Sequence, residues 1–314
     1  MKTLHDAFIK FNEVITLTQS KMDSLRTSRD ALQDTIIKWF KEKHPDNMPS
    51  FKAQGSFTMK TALNQLDGEE YDIDLGVYIS GFEDKSISEY PNPQLFHTWI
   101  NEATKDETEA NNINKNTCVR VTYKKGYHVD LPSYIKNKFG QIYLAHVRDG
   151  WVLSDPIEFT NWFNSAVQQH GDQLRRVVKY MKAWKDYRKL PLASIAISIL
   201  VVNYFEPSNS HDELALYNTV KNINCSLHTV FSCRKPVQPY ENVFEDYSDT
   251  RRTAVLEGFE SFVEKMSTII GNSDCETKKK NLRKLFGDRF PIVCDEDFEK
   301  TDKPGVLKSD GRSA

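Results

Sequence analysis

Cysteine is scarce in this sequence, and the few cysteines are scattered rather than arranged in a recognisable framework. There are five, at positions 118, 225, 233, 275 and 294. An odd and dispersed set argues against a disulfide-stapled secreted domain and favours reduced thiols in a cytosol. The first residues are polar and do not resemble a secretory leader. We therefore expect a cytoplasmic protein.

The sequence also lacks a marked excess of either charge and a long uninterrupted apolar run. Lys and Arg total 42 against 44 Asp and Glu, so the formal net charge is -2. Proteins that clamp long nucleic acid usually carry a basic excess, so this balance disfavours such a partner but not a nucleoside triphosphate. The longest apolar stretch, residues 190–205, is interrupted by Pro191 and Asn203 and predicts a buried core helix rather than a membrane span.

The periodicity of apolar residues changes twice along the chain. Residues 4–43 carry apolar side chains at helical spacing, and Pro45 closes that segment. Alternating patterns then predict strands, including two hairpins, at 71–79, 119–123, 127–131, 142–147 and 151–153. From Pro156 onward the period is helical again. The fold class predicted is α+β, with a long N-terminal helix, a small mixed β-sheet and a C-terminal helical domain.

Acidic residues alternate with apolar ones in the first predicted strand. A period of two places Asp72 and Asp74 on one face of the strand, about 6.5 Å apart. Adjacent carboxylates raise each other's pKa unless a cation compensates, and strand interiors disfavour Asp. Asp130 alternates in the same way between Val129 and Leu131. A neighbouring strand would bring it to the same face, and three hard oxygen ligands suit Mg²⁺, as two ions clamping an in-line displacement.

The simpler interpretation is that these acids are solvated residues on an exposed sheet face, since Asp-x-Asp tripeptides are common. The preceding segment, residues 54–62, weakens that interpretation. Gly55 and Ser56 open a predicted helix there, and exposed backbone N–H groups at such a turn can cradle phosphate oxygens. A phosphate cradle, an acidic pair and a remote third carboxylate form a more specific combination than any one of them.

Gly55-Ser56, Asp72-x-Asp74 and Asp130 together resemble the polymerase-β-type nucleotidyltransferase superfamily, and within it the bacterial cGAS/DncV-like nucleotidyltransferases (CD-NTases). The resemblance implies a two-lobed nucleotidyltransferase fold. It implies that Asp72 and Asp74 bind two Mg²⁺ ions, with Mn²⁺ as a substitute. It also implies that Asp130 completes the metal-binding, catalytic triad and helps to activate the attacking hydroxyl.

The resemblance extends over most of residues 50–270, in order. It implies a nucleotide-binding set composed of Gln54, Gly55, Ser56, Lys182 and Ser194. In the helix at 174–185, Lys182 is the first choice for the triphosphate contact and Lys179 the second. The alternatives are that these lysines form the solvated side of an amphipathic helix, and that Ser194 only caps the next helix.

Two further groups of residues have competing interpretations. Cys225, His228 and Cys233 have a spacing that suits zinc, but three ligands without a fourth favour ordinary thiols, of which buried cysteines are the common kind. The aromatic residues Tyr240, Phe244 and Tyr247 are candidates for stacking on a purine base. Core packing is the alternative for all three.

The resemblance implies an Mg-dependent enzyme that joins nucleoside triphosphates, GTP and ATP being favoured, and releases pyrophosphate. The expected product is a cyclic dinucleotide, cyclic di-GMP or cyclic GMP-AMP, serving as a second messenger that a downstream effector reads in antiphage defence. The alternatives are a pyrimidine-using synthase, a templateless transferase acting on an RNA end or a protein, and a non-catalytic nucleotide-binding scaffold.

Several properties of the whole chain are expected on the same basis. We expect a bacterial cytoplasmic monomer that needs neither a membrane nor long nucleic acid. Residues 1–160 are predicted to form the nucleotidyltransferase core with its N-terminal helix, and residues 161–298 the helical domain. Residues 299–314 are polar and are predicted to be a mobile tail.

Overall fold

The computed structural model of the chain describes residues 4–66, 71–108, 112–124 and 126–291. The predicted tail at 299–314 lies outside the described residues. Ten α-helices occur within the described ranges: α1 Leu4–Ile15, α2 Gln19–Lys43, α3 Gly55–Thr58, α4 Pro93–Thr104, α5 Pro156–His170, α6 Asp172–Tyr187, α7 Ser194–Tyr204, α8 Asp212–Thr229, α9 Asp249–Gly271 and α10 Cys275–Phe286. Short 3₁₀ turns occupy Pro45–Asn47 and Ile87–Glu89.

The described strands form a mixed sheet: β1 Pro49–Gln54, β2 Tyr71–Ile79, β3 Ile113–Asn114, β4 Val119–Tyr123, β5 Tyr127–Leu131, β6 Ser133–Lys136, β7 Ile142–His146 and β8 Gly150–Leu153. Their order is β3-β4-β5-β2-β6-β7-β8, and β1 pairs with β2 off this path. Strand β2 is central and runs parallel to β5 and β6. Both predicted hairpins, β4–β5 and β7–β8, are present and antiparallel. The predicted α+β architecture is confirmed.

The N-terminal segment is two helices, so the prediction of a continuous helical segment over residues 4–43 is wrong at residues 16–18. Thr18 has an extended backbone, and its side chain caps α2 by accepting a hydrogen bond from Lys21 N. Thr16 forms an isolated bridge with Leu63, which ties the break to the residues that follow α3. The long N-terminal helix is therefore α2 alone.

The break sends the two N-terminal helices to different apolar cores. Helices α2 and α4 cover the sheet and share its core, in which Leu75 and Val129 are fully buried. Helix α1 packs instead into the helical half, where the ring of Phe8 lies 5.2 Å from that of Tyr180. The chain therefore crosses between the two halves at residues 16–18. The predicted boundary at residue 160 stays a prediction.

Helix α7 is the apolar segment that the sequence predicted to be a core helix. It is 11 residues long and buries Ala196 through Val201, as expected for a helix that is apolar nearly all round. Among the described residues, no helix has both the length and the apolar character required to cross a bilayer. The start of α7 faces the sheet half of the molecule, where it contributes to the cavity described next.

Candidate active site

Parallel pairing of β2 with β5 brings the three predicted carboxylates to one place. In this register His128 lies opposite Asp72, and Asp130 lies opposite Asp74. Side chains directly opposite each other project from the same face of a sheet. Ligand atoms of Asp72, His128 and Asp130 lie within 4.8 Å of one another. The alternation read from the sequence thus becomes a compact acidic face.

The electrostatics of this face are unfavourable for a full set of ionised carboxylates. Burial, followed by the neighbouring charges of Asp72 and Asp130, raises the pKa of Asp74 to about 8. Arg120 and Lys115 act in the opposite direction on the same group. A carboxyl group that holds its proton near neutral pH lacks sufficient compensating positive charge. A bound cation would therefore stabilise the acidic face by compensating its negative charge.

Asp130 differs from Asp74 because it already forms an ion pair with Arg120. Arg120 donates two hydrogen bonds to Asp130, from Nε to Oδ1 at 2.6 Å and from Nη2 to Oδ2 at 2.7 Å. Burial alone would raise the pKa of Asp130, but the hydrogen bonds and charge of Arg120 hold it below its usual value. Lys115 Nζ lies 3.7 Å from Asp130 Oδ2. Asp130 is therefore an oriented, ionised carboxylate. Arg120 was not predicted to belong to the site, although it stands opposite Asp130 in the β4–β5 hairpin.

The donor set fits a divalent metal ion. Carboxylate oxygens are the ligands that Mg²⁺ and Mn²⁺ prefer, and an imidazole such as that of His128 is compatible with Mn²⁺. Asp72 and Asp74 would hold the ion, with Asp130 beside them, and the raised pKa of Asp74 would fall as the ion binds. Among the described residues, Asp72, His128 and Asp130 form the group of acidic, histidine and cysteine side chains close enough together to share a metal.

The turn between β1 and α3 approaches the acidic face so closely that only glycine fits. Gly55 has a φ of 70°, which disfavours residues with a Cβ. A Cβ at this position would lie 2.1 Å from Asp74 Oδ2. Ser56 follows and lines the same cavity. Gln54 precedes it, buried, and its amide Nε2 donates a hydrogen bond to Tyr134 Oη at 2.9 Å, so Gln54 is anchored as well as cavity-lining.

Lys182 reaches the site from the helical half. It is buried, and its Nζ donates a hydrogen bond to Thr61 Oγ1 at 3.0 Å. Burial lowers the pKa of Lys182 to about 8, and the charge of Asp72 partly opposes this effect. Lys179 is also buried, but its Nζ donates to Thr16 Oγ1, at the break between α1 and α2. Lys179 does not line the cavity, so the structure favours Lys182 over Lys179 for a contact with a ligand.

Ser194 begins α7 on the opposite wall from the carboxylates. Its Oγ accepts a hydrogen bond from Lys185 Nζ at 3.0 Å. It does not cap its own helix, because the residue at that cap is Ala193 and no side-chain cap hydrogen bond is formed. The spacing of cations along α6 alone would place Lys185 on the solvated side of the helix. The structure directs it to Ser194 instead.

These residues surround one cavity of about 380 Å³ between the sheet and the helical half. From the sheet side it is lined by Gln54, Gly55, Ser56, Asp72 and Asp74. From the helical side it is lined by Lys182, Asp186, Ser194, Ser198, Lys235 and Gln238. The acidic face thus lies across the cavity from the buried cation of Lys182. This arrangement suits a ligand that carries both phosphate groups and a metal ion.

The aromatic candidates for base stacking do not line this cavity. Phe244 is buried, and its ring packs 4.7 Å from Phe231 and 4.8 Å from Tyr247. Core packing therefore accounts for Phe244 and Tyr247, and the stacking hypothesis is wrong for both. Tyr240 is exposed and lines a neighbouring surface depression with Phe139. The roles of these aromatic residues depend on contacts between separate segments of the chain, which the sequence pattern does not reveal.

Within the described part of the chain, the possible zinc ligands do not belong to a group of side chains close enough together to share a metal ion. Cys233 is buried and Cys225 is exposed, and both are free thiols. Cys233 Sγ lies 3.9 Å from the carbonyl oxygen of Ala196, which is the environment of a packed core cysteine. The ordinary-thiol interpretation of these two residues agrees with the structure.

Comparison with known proteins finds a family match within the sheet half. Residues 49–134 match the family described as "Cyclic GMP-AMP synthase DncV-like, nucleotidyltransferase domain". A cyclic GMP-AMP synthase of Escherichia coli is 26% identical over an aligned region that covers 83% of this chain and 70% of that protein. The family resemblance predicted from the sequence is confirmed by these matches.

Solved structures share the whole two-lobed fold. The GTP-bound form of Vibrio cholerae DncV superposes with a TM-score of 0.67 at 20% identity, covering 91% of this chain and 86% of that one. The Bradyrhizobium diazoefficiens CD-NTase CdnG in complex with GTP gives a TM-score of 0.73 at 13% identity, covering 92% and 96%. The two-lobed nucleotidyltransferase fold predicted for this chain is confirmed.

Proposed function

We propose that this chain, whose residues 49–134 match the DncV-like nucleotidyltransferase domain family, joins nucleoside triphosphates into a cyclic dinucleotide with release of pyrophosphate. The observation that carries the proposal is the single cavity in which Asp72 and Asp74 face Lys182, with the Gly55–Ser56 turn beside them. A non-catalytic scaffold would not need three carboxylates on one face. Similarity to an E. coli cyclic GMP-AMP synthase supports a cyclic product.

Residues from both halves of the molecule take part in the proposed reaction. The triphosphate of the donor nucleotide lies against Ser56, Lys182 and Ser194. Asp72, Asp74 and Asp130 would hold the divalent metal, as two Mg²⁺ ions or Mn²⁺ in their place. When bound, the metal supplies positive charge to the phosphate oxygens and to the attacking and leaving oxygens. Gln54 supports the Gly55 turn through its bond to Tyr134.

Asp130, which Arg120 orients, is proposed to accept the proton of the attacking ribose hydroxyl. The hydroxyl oxygen forms a bond to the α-phosphorus, and the bond from that phosphorus to the bridging oxygen breaks. The leaving group is pyrophosphate. A second round in the same cavity, with the linear dinucleotide as donor, closes the ring.

GTP and ATP are the favoured substrates. Structures of relatives described as bound to GTP support this choice, whereas the aromatic residues first considered give it no support. We further propose that the product is cyclic GMP-AMP or cyclic di-GMP, and that it is a second messenger read by a downstream effector in antiphage defence. The enzyme is proposed to work as a cytoplasmic monomer, without a membrane or long nucleic acid.

The proposal is tested by incubating the chain with all four nucleoside triphosphates and Mg²⁺, followed by phosphatase treatment and mass spectrometry. We expect a phosphatase-resistant cyclic dinucleotide that contains purines. Labelling each triphosphate in turn then assigns the bases. Dominant label from UTP or CTP would overturn the purine assignment only. A phosphatase-sensitive linear chain would overturn cyclisation, and label found only on RNA ends or protein would indicate a macromolecular substrate.

Lys182→Ala is expected to weaken nucleotide binding by about 1.5–3 kcal/mol, because it removes a charge-assisted contact to the triphosphate. Lys179→Ala is the matched control. Both lysines are buried on α6, both donate to a threonine, and burial lowers the pKa of each to about 8. Only Lys182 lines the cavity. Calorimetric titration with a non-hydrolysable GTP analogue should therefore show a loss for Lys182→Ala and a nearly unchanged affinity for Lys179→Ala. Equal losses would contradict the assignment.

A further inference from the structure

Lys185 occupies an unusual position for a lysine in the last turn of a helix. Its side chain is 16% exposed, and its Nζ lies 2.8 Å from Asp186 Oδ1 and 3.0 Å from Ser194 Oγ. Asp186 and Ser194 both line the cavity, but Lys185 itself does not. Lys185 thus contacts two cavity-lining side chains without lining the cavity itself.

The chemistry of the two side chains fixes the direction of the serine proton. An ammonium group has three donors and no acceptor, whereas a hydroxyl group has one donor and two acceptor lone pairs. In the Lys185–Ser194 hydrogen bond the serine oxygen must therefore accept. Its own hydrogen is left to point away from Lys185, and a donor that also accepts from a cation is strengthened. The ion pair with Asp186 holds the ammonium group in place.

The backbone around Ser194 has anchors of its own. Arg251 Nε donates to the carbonyl oxygen of Pro191 at 2.8 Å, and the Ala193 N–H donates to Tyr247 Oη at 3.2 Å. The path of the chain into α7 therefore does not depend on Lys185. What Lys185 determines is the orientation of the Ser194 hydroxyl group.

We propose that Lys185 is a positioning residue, which presents the Ser194 hydroxyl as a hydrogen-bond donor to a phosphate oxygen of the bound nucleoside triphosphate. This inference rests on the proposed function, because it needs an anionic ligand in the cavity. Lys185 acts through Ser194 rather than on the nucleotide, and Asp186 acts through Lys185.

A double-mutant cycle separates this role from a direct contact and from a structural one. Wild type, Lys185→Met, Ser194→Ala and the double variant are titrated with a non-hydrolysable GTP analogue, and their melting temperatures are measured. We expect Lys185→Met to weaken binding about tenfold in the wild-type background, the scale of one charge-assisted hydrogen bond. In the Ser194→Ala background the same change should cost less than about twofold, because the group that Lys185 orients is already missing.

Matched variants complete the experiment. Lys185→Arg should retain most of the affinity, because it restores a cationic donor. Lys189→Met makes the same change at an exposed lysine that lies outside the cavity lining, and it should leave binding unchanged. An equal loss for Lys185→Met with and without Ser194 would overturn the inference in favour of a direct contact, and a lowered melting temperature that accounts for the loss would overturn it in favour of a structural role. Failure of the wild type to bind the analogue would overturn the proposed function, and this inference with it.

Discussion

Asp72→Asn and Asp74→Asn are each expected to abolish product formation while leaving the fold intact. Each substitution removes a proposed metal ligand from the acidic face, where the metal would supply several kcal/mol of charge stabilisation. Such a loss corresponds to a reduction in turnover of at least about 10³-fold. Pyrophosphate release and mass spectrometry of the small products measure it directly.

Stability should move in the opposite direction from activity. Burial and the charges of Asp72 and Asp130 make the ionised form of Asp74 costly in the absence of metal. An asparagine of similar size carries no charge, so the melting temperature of Asp74→Asn in EDTA should equal or exceed that of the wild type. Added Mg²⁺ should then stabilise the wild type more than the variant, since ligands that bind the folded state raise its stability.

A matched control tests whether the loss of an unrelated carboxylate also abolishes turnover. Asp84 has a side chain that is 89% exposed and lies opposite Lys138, outside the cavity. Asp84→Asn should leave both turnover and the response to Mg²⁺ unchanged. Turnover close to that of the wild type in the Asp72→Asn, Asp74→Asn double variant would rule out the proposed reaction centre.

Gly55→Ala should have an effect nearly as large, although it adds only one methyl group. The new Cβ would lie 2.1 Å from Asp74 Oδ2, much closer than any stable contact, so Asp74 must move or the turn must open. The positive φ of Gly55 adds a backbone penalty of order 1 kcal/mol. Displacement of a reacting group by about 1 Å costs about 10²-fold in rate. We expect turnover to fall by about that factor.

Gly150→Ala separates the close approach from the backbone penalty. Gly150 has a φ of 84°, but a Cβ there meets no atom within 4 Å. Denaturant unfolding should show the backbone penalty in both variants, with a further loss at Gly55 from the close contact with Asp74. Only Gly55→Ala should lose turnover. If the two variants retained equal turnover, the approach of the turn to Asp74 would have no catalytic role.

The acidic face was predictable because it depends on local periodicity. Strand alternation alone places Asp72 and Asp74 together, and one correct assumption about a neighbouring strand adds Asp130. The β4–β5 hairpin was also predictable from its flanking patterns. Its register would have identified Arg120, since the residues opposite one another in a hairpin follow once the turn is fixed.

The helical side of the cavity was less predictable because spacing alone does not orient a helix. Arg175, Arg176, Lys179, Lys182 and Lys185 recur along α6 at intervals that place several of them near one stripe. Their separate contacts, with Thr16 for Lys179, Thr61 for Lys182 and Ser194 for Lys185, arise from segments distant in sequence. Tertiary packing decides which lysine faces the ligand.

The break between α1 and α2 had a similar cause. Residues 16–18 carry two threonines and a leucine, none of which excludes a helix, so the apolar spacing predicted continuity. The helix ends there because Thr18 caps α2 and Thr16 pairs with Leu63, an interaction across more than forty residues. Whether Phe244 and Tyr247 stack on a base or pack in the core also depended on contacts with Phe231, which no local pattern reveals.

Anomalous scattering from Mn²⁺, in crystals grown with a non-hydrolysable GTP analogue, tests most directly whether this cavity is a metal-dependent nucleotidyltransferase site. We predict anomalous peaks at coordinating distance, about 2.1 Å, from carboxylate oxygens of Asp72 and Asp74. The triphosphate should lie between those peaks and Lys182, beside Ser56. Manganese bound elsewhere, with no peak at Asp72 and Asp74, or a nucleotide lodged outside the cavity, would contradict the proposed site.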